Sequence, residues 1–378
     1  VIIGGGLAGT EAAWQAANRG AKVTLYEMRP KEMTKAHKTG DLAELVCSNS
    51  LGSADPLNAP GILKTEMRRL NSLVIRAAEE ARVPAGSALA VDREQFARVI
   101  TQALERHPNI RIMREEVTEI PQDAVTIIAT GPLTSEKLSK AISELTHERH
   151  LYFFDAISPI IDAESINMDI VYRASRYGKG GADYLNCPLD EAAYNALYDA
   201  MMTAEKVQPK EFEKIAYFES CIPIEVMAER GRQTMQFGPL KPVGLEHPKT
   251  GVRPYAVVQL RTENAHGTCY NMVGFQTKLT YPEQRRVFRL IPGLENAEFL
   301  RLGSLHRNTF INSPQLLRET LQLKSRGTVF FAGQLVGVEG YTESAAMGGI
   351  AGINAARGLA DQPLVTPPPN SAHGCLIA

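Results

Sequence analysis

Apolar and polar positions change rhythm several times along this chain. Val1–Ile3 is a short unbroken apolar run, Thr10–Arg19 is Ala-rich with helical spacing, and Lys22–Glu27 is strand-like again. The first unit is therefore predicted as β-α-β. Leu63, Met67, Leu70, Val74 and Ala77 recur at steps of three and four and predict one helix with a single apolar face. Asp92 followed by Gln95 has capping-box spacing for a helix that buries Phe96, Val99, Ile100 and Ala103. Ala124–Ile128 reads as a buried strand that ends in Ala129-Thr130-Gly131-Pro132. After about residue 150 the style shifts. Asp190–Glu205 is helical, with Tyr194, Leu197 and Met201 on one side, and residues 215–310 are rich in β-branched, aromatic and turn residues, as in Tyr255–Arg261 and Tyr270–Phe275. From Thr328 the first style returns as strand, Gly-rich turn and small-residue helix.

These changes predict an α/β protein. A Rossmann-like doubly wound part, in the style of two-dinucleotide flavoproteins, spans 1–150 and 325–378, and an α+β insertion occupies 151–324. With 378 residues there is enough chain for about two domains. An apolar content of 44%, a charged content of 22% and a net charge of -1 leave neither a polyelectrolyte tail nor a membrane-span composition. The five cysteines are scattered, with no CxxC pair and no zinc-ligand spacing, so no metal is expected and a reduced, cytoplasmic setting is. The chain starts inside a strand without a methionine and stops at NSAHGCLIA, so both ends read as trimmed.

The opening VIIGGGLAGTEAA carries the first chemical signal. Gly4, Gly6 and Gly9 have G-x-G-x-x-G spacing after a strand and before a helix, and Glu27 ends the next strand 23 positions after Gly4. The first glycine serves a tight turn, the second a close approach of pyrophosphate, and the third helix–strand packing. The acid is placed to accept from an adenosine ribose. Gly131 in the ATGP turn, and Gly333, Gln334, Tyr341 and Glu343 in the late AGQLVGVEGYTES segment, favour FAD over NAD as the bound dinucleotide. A NAD-only domain has no need of that C-terminal return.

Longer stretches carry a more specific signal. LAELVCSNSL at 42–51, YFESCIPIEVMAERG at 217–231, FGPLKPVGL at 237–245, PYAVVQL at 254–260, NMVGFQTKL at 271–279 and residues 289–314 together resemble the folate- and FAD-dependent tRNA (uracil-5-)-methyltransferase family, TrmFO, across the whole chain. That family normally continues beyond residue 378. The resemblance implies that methylenetetrahydrofolate supplies a carbon, that NADH or NADPH supplies electrons through FAD, and that C5 of the T-loop uridine 54 in tRNA becomes 5-methyluridine. No membrane is expected from the composition, and no obligatory protein partner is inferred.

Cys47 and Cys221 match the two cysteines this family uses. Uracil C5 becomes nucleophilic once a thiolate adds at C6, which suits Cys221, with Cys47 as its assisting partner near the C5 proton. Free cysteines are otherwise often small core residues. Glu219 and Glu225 flank Cys221, and carboxylates raise a thiol pKa, so a compensating cation or helix N-terminus is expected from elsewhere in the fold. Ser220 stands where the family usually has glycine. His306 is a candidate folate or flavin contact, and Tyr341 a candidate cover for a pterin stacked on the flavin. Lys278, Arg285, Arg286 and Arg289, with Lys206, Lys210 and Lys214, are candidate tRNA phosphate contacts, although such runs are usually solvated helix faces. Two further readings compete: a GidA (MnmG)-type flavin enzyme acting on the wobble uridine, and a flavin oxidoreductase that uses no RNA.

Overall fold

The computed structural model describes residues 1–34, 36–147, 151–207 and 222–378. In chain order its first part holds β1 (Ile2–Ile3), α1 (Leu7–Ala17), β2 (Val23–Tyr26), β3 (Ser50–Ser53), α2 (Ala59–Arg69), α3 (Leu73–Glu80), β4 (Arg82–Val83), β5 (Ala88–Val91), α4 (Arg93–Glu105), β6 (Ile110–Met113), β7 (Thr126–Ile128) and α5 (Glu136–Thr146). The middle holds β8 (Leu151–Ala156), β9 (Ile160–Asp162), β10 (Tyr172–Ala174), β11 (Tyr184–Leu189), α6 (Glu191–Thr203), α7 (Ile224–Glu229), α8 (Thr234–Phe237), β12 (Ala256–Thr262), β13 (Cys269–Met272), α9 (Tyr281–Phe288), β14 (Phe299–Arg301) and β15 (Leu305–Phe310). The chain closes with α10 (Ser313–Leu316), β16 (Gln322–Leu323), β17 (Arg326–Phe331), α11 (Tyr341–Leu359) and α12 (Ala372–Ile377).

The nucleotide-type segments at the two ends of the chain share one sheet, in the order β16-β17-β7-β1-β2-β6. Four of its five pairings are parallel, and the fifth joins β16 antiparallel to β17 at the edge. A second sheet, β10-β11-β12-β13-β9-β14, is antiparallel throughout. A β15-β8 pair and a small β3-β5-β4 sheet complete the architecture. The fold is thus α/β, with a mixed sheet beside antiparallel ones. Each large sheet has its own core, the first around Leu25, Ile128, Phe331 and Ala351, the second around Tyr194, Val258, Phe275 and Phe288.

Small residues set the spacing of the first core. α1 meets α11 along the buried Ala8 and Ala12, which face Gly348 and Gly352. A Cβ on Gly348 would sit 2.1 Å from the Ala8 carbonyl oxygen, and one on Gly352 would sit 2.4 Å from that of Ala12. Backbone touches backbone along this seam, which fixes α1 rigidly under the first turn.

Two predicted helical features come out differently. Residues 63–77 form two helices, not one. Asn71 takes φ +55°, and the Ser72 side chain then accepts from Ile75 N–H to start α3. The apolar period runs on across the break because both pieces face the same core, so periodicity alone cannot detect it. At α4, Asp92 accepts from the N–H of Glu94 and Gln95, as a cap should. The reciprocal half of the box is missing: Asp92 N–H donates to the Ala81 carbonyl, and Gln95 reaches the Glu80 carbonyl instead.

Candidate active site

The C-terminal ends of β1, β2, β7 and β17 open into one cleft. Its wall includes Gly4, Gly5, Gly6, Glu27, Gly131, Gly333, Gln334 and Tyr341. This is the switch point of the parallel sheet, where strand order reverses around β1, the general ligand position of open α/β folds. Gly4 has φ +105°, and a Cβ there would meet the Ala129 carbonyl oxygen at 2.6 Å. Gly333 has φ +76°, with its missing Cβ 2.7 Å from that of Ala8. Gly6 differs from both, because a Cβ there would meet nothing within 4 Å. The space beside Gly6 opens on the cleft, at the start of a helix whose N-cap has no side-chain hydrogen bond. Free N–H groups and the positive end of α1 therefore face the cavity, an arrangement that suits a pyrophosphate. The residues present fit an elongated dinucleotide.

Glu27 is buried and heavily engaged. Its Oε2 accepts from Gly5 N–H at 2.9 Å and from Arg29 at 3.2 Å, and its Oε1 accepts from Arg29 N–H and Nε, both at 2.9 Å. Burial alone would push this carboxyl up. The Arg29 guanidinium and the two backbone N–H groups outweigh burial and hold its pKa below the usual value. A ribose hydroxyl would have to share an oxygen with Arg29. Sequence reasoning missed Arg29, which is 2% exposed and also pairs with Glu44 at 3.1 Å. The available signal was an arginine two positions after the strand-end acid.

His37 was also missed. The Thr34 hydroxyl accepts from the N–H groups of Ala36 and His37, which leaves its own hydrogen to donate to His37 Nδ1 at 2.7 Å. This places the ring proton on Nε2 in the neutral form. Burial, reinforced by Arg29, lowers the His37 pKa from 6.5 to about 4. A depressed folded-state value stabilises the fold fully above pH 6.5, and the contribution disappears as pH falls through about 4. In the cofactor-free protein the total is up to about 3 kcal/mol. Denaturant titrations across this window should therefore show a shallower loss of stability for His37→Gln than for the unsubstituted chain. Identical slopes would remove His37 as the source.

Glu343 stands in the first turn of α11 but is not part of the cleft wall. It faces Lys64, and burial raises its pKa. Tyr341 lines the cleft and does something its sequence position did not suggest. Its hydroxyl oxygen accepts from the N–H of Cys47 at 2.8 Å and of Ser48 at 3.2 Å. Burial, then the nearby Cys47, pushes the phenol well up, so it stays neutral. Cys47 is half-buried, and its Sγ points to the Ala156 carbonyl at 3.7 Å. The structure thus brings Cys47 and Tyr341 together beside the cleft.

Cys221, Glu219, Ser220, Lys210 and Lys214 lie outside the described residues, as does the side chain of His306. Glu225 is fully buried, where it receives the Thr277 hydroxyl and, at 3.4 Å, Lys278 N–H. Burial raises its pKa. None of the described basic candidates lines the cleft. Arg286 pairs with Glu283 on α9 at 2.5 Å, Arg285 reaches the Tyr281 carbonyl at 3.4 Å, Arg289 donates to the Ala297 carbonyl, and Lys206 donates to that of Met202. Cys187 is buried and Cys375 exposed, and among the described residues no His/Cys/Asp/Glu group is arranged to hold a metal. No described helix is long and apolar enough to cross a membrane.

Comparison with known proteins decides between the competing readings. Residues 1–363 match the family model described as Glucose inhibited division protein A. A Geobacter sulfurreducens protein named Methylenetetrahydrofolate--tRNA-(uracil-5-)-methyltransferase TrmFO is 59% identical over 378 residues, covering 100% of this chain and 87% of its own. The chain belongs to the TrmFO group of the GidA family. TrmFO proteins of Bacillus pumilus and Aquifex aeolicus agree, at 60% identity (99% of this chain, 86% of theirs) and 58% identity (100% and 85%). Among solved structures, Aquifex aeolicus GidA superposes with a TM-score of 0.75 at 19% identity, over 100% of this chain and 66% of that one. At that identity the superposition shows a shared fold. The TrmFO assignment rests on the sequence relatives, and both agree with an α/β flavoprotein-type scaffold.

Proposed function

We propose that this TrmFO chain transfers the methylene carbon of 5,10-methylenetetrahydrofolate to C5 of uridine 54 in the tRNA T-loop and completes it as a methyl group. FAD would occupy the cleft, with NADH or NADPH as electron source, in a cytoplasmic setting. The observation that carries this reading is the half-buried Cys47, whose backbone N–H is tied through Tyr341 to the wall of the glycine-lined cleft. Bound FAD supplies the two-electron reduction that turns a transferred methylene into a methyl.

The chain's own residues hold and orient. The α1 N-terminus, with Gly4, Gly6 and Gly9, would receive the pyrophosphate, Glu27 would share a ribose hydroxyl with Arg29, and Gly131, Gly333, Gln334 and Tyr341 would flank the rest of the cofactor. Cys221 would add to uracil C6, and Cys47 would assist at the C5 proton. Both need the target base out of its stack. Residues 1–150 and 325–378 form the cofactor-binding part, and 151–324 the RNA-facing part, with His306 toward folate and Lys278, Arg285 and Arg286 toward phosphates.

The test supplies the flavin-loaded protein with unmodified tRNA, carbon-labelled methylenetetrahydrofolate and NADPH. Label is expected in T-loop 5-methyluridine. Label at the wobble position, or none despite bound flavin and intact tRNA, would sink the reading.

A further inference from the structure

Cys47 sits at a seam, and its short segment is anchored from both sides of it. Tyr341, at the start of α11, accepts the N–H groups of Cys47 and Ser48. Arg93, the first residue of α4, donates to the carbonyls of Leu45 at 2.7 Å and Cys47 at 3.4 Å. The antiparallel sheet supplies the rest. Arg261 in β12 donates to Asn49 Oδ1 at 2.8 Å and to Ser48 Oγ at 2.7 Å, and Asn49 Nδ2 donates to the carbonyls of Val91 and Thr262, both at 2.9 Å. Glu263, just past β12, receives Arg93 through both carboxylate oxygens, one of them at 3.0 Å.

Asn49 is 0%, Glu263 4% and Arg261 7% exposed, so these polar groups have been withdrawn from water. A buried ion pair is a poor way to gain stability, because desolvation offsets most of the attraction. Here its geometry points to a different use. Burial works against the Arg93 charge, but the Glu263 carboxylate outweighs it and holds the guanidinium fully protonated. The other hydrogen bonds of that guanidinium all end on residues 45–47. The partner carboxylate, 170 positions away, comes from the other sheet.

We propose that Glu263 is a positioning residue for Cys47, acting through Arg93 to fix the 45–49 segment and with it the direction of the thiol. The antiparallel half thereby sets the geometry of a thiol carried by the parallel-sheet half. The consequence for turnover rests on the proposed reaction, whereas the consequence for thiol geometry does not.

The test compares the flavin-loaded protein with its Glu263→Gln and Arg93→Lys variants. Iodoacetamide labelling of Cys47 is read by peptide mass spectrometry against the exposed Cys375 as internal reference. Freed from its anchors, Cys47 is expected to react about tenfold faster relative to Cys375 in both variants. The kcat for methyl transfer is expected to fall about tenfold or more, with KM for tRNA unchanged, as for a misplaced reacting group. A merely structural pair would lower the melting temperature and leave the Cys47-to-Cys375 ratio where it was, and that outcome overturns the proposal. If Glu263→Gln does not fold, Arg93→Lys decides alone, since it keeps the charge and loses the fork. If the unsubstituted protein transfers no methyl group, the proposed reaction fails while the labelling ratio still decides the clamp.

Discussion

Gly9→Ala is expected to cost this protein both its flavin and a large part of its stability, while Gly6→Ala costs the flavin alone. A Cβ on Gly9 would lie 1.8 Å from the Gly4 carbonyl oxygen, which belongs to backbone and cannot swing away. α1 would have to retreat from the turn. Its flank has no room for the shift, because Gly348 and Gly352 already bring α11 against the carbonyls of Ala8 and Ala12. Overpacking of a rigid contact costs about 1–3 kcal/mol, and more where neither partner can move. The same displacement takes the helix N-terminus away from the phosphates. Gly6 has φ -76°, ordinary for any residue, and open space where the Cβ would go, so alanine there strains nothing in the protein. It does fill the space that a ligand must approach. Thermal melts of the flavin-free proteins separate the two: a normal melt for Gly6→Ala, a lowered one for Gly9→Ala, and little flavin absorbance retained by either. A Gly9→Ala protein with an unchanged melt and full flavin would contradict the packing argument.

The contrast shows which parts of the site were readable beforehand. Spacing along one short segment was enough for the first β-α-β unit and its glycines, because turn, phosphate approach and helix packing are all decided within ten residues of Gly4. The Asp92 cap and the buried face of α6 were readable for the same local reason. What escaped depends on distant partners. Arg29 is unremarkable in sequence until Glu27 and Glu44 converge on it in a buried pocket. Tyr341 meets Cys47 across 294 positions, Arg93 meets Glu263 across 170, and Arg261 meets Ser48 across 213. No periodicity encodes such pairings. Tyr341 reads in the sequence as a candidate cover for a stacked pterin, whereas in the fold its hydroxyl accepts two amides that no local pattern points to. The basic residues of α9 show the converse: the run is legible, yet Arg286 is already paired with Glu283 and Arg289 with the Ala297 carbonyl.

The second large effect concerns Cys47 itself. Cys47→Ser should leave the fold and the flavin in place while removing nearly all turnover. The segment is held through its backbone, by Tyr341 on the N–H and Arg93 on the carbonyl, and serine preserves both. Among the described residues the side chain makes one weak hydrogen bond, Sγ to the Ala156 carbonyl at 3.7 Å, which a hydroxyl can replace. That hydrogen bond does not ask for sulfur. Chemistry does: a hydroxyl is a far poorer proton acceptor and nucleophile than a thiolate at neutral pH. A positioned acid–base group contributes about 10²–10⁴-fold, and a loss of that size is expected in kcat. The melting temperature and flavin absorbance should match the unsubstituted protein, since any fall in either would mean that the thiol was packing and not reacting. Full turnover by Cys47→Ser would remove Cys47 from the reaction. The anchors around it would then hold a loop whose purpose is the shape of the cleft, and the labelling ratio in the Glu263 variant would be the measurement to interpret first.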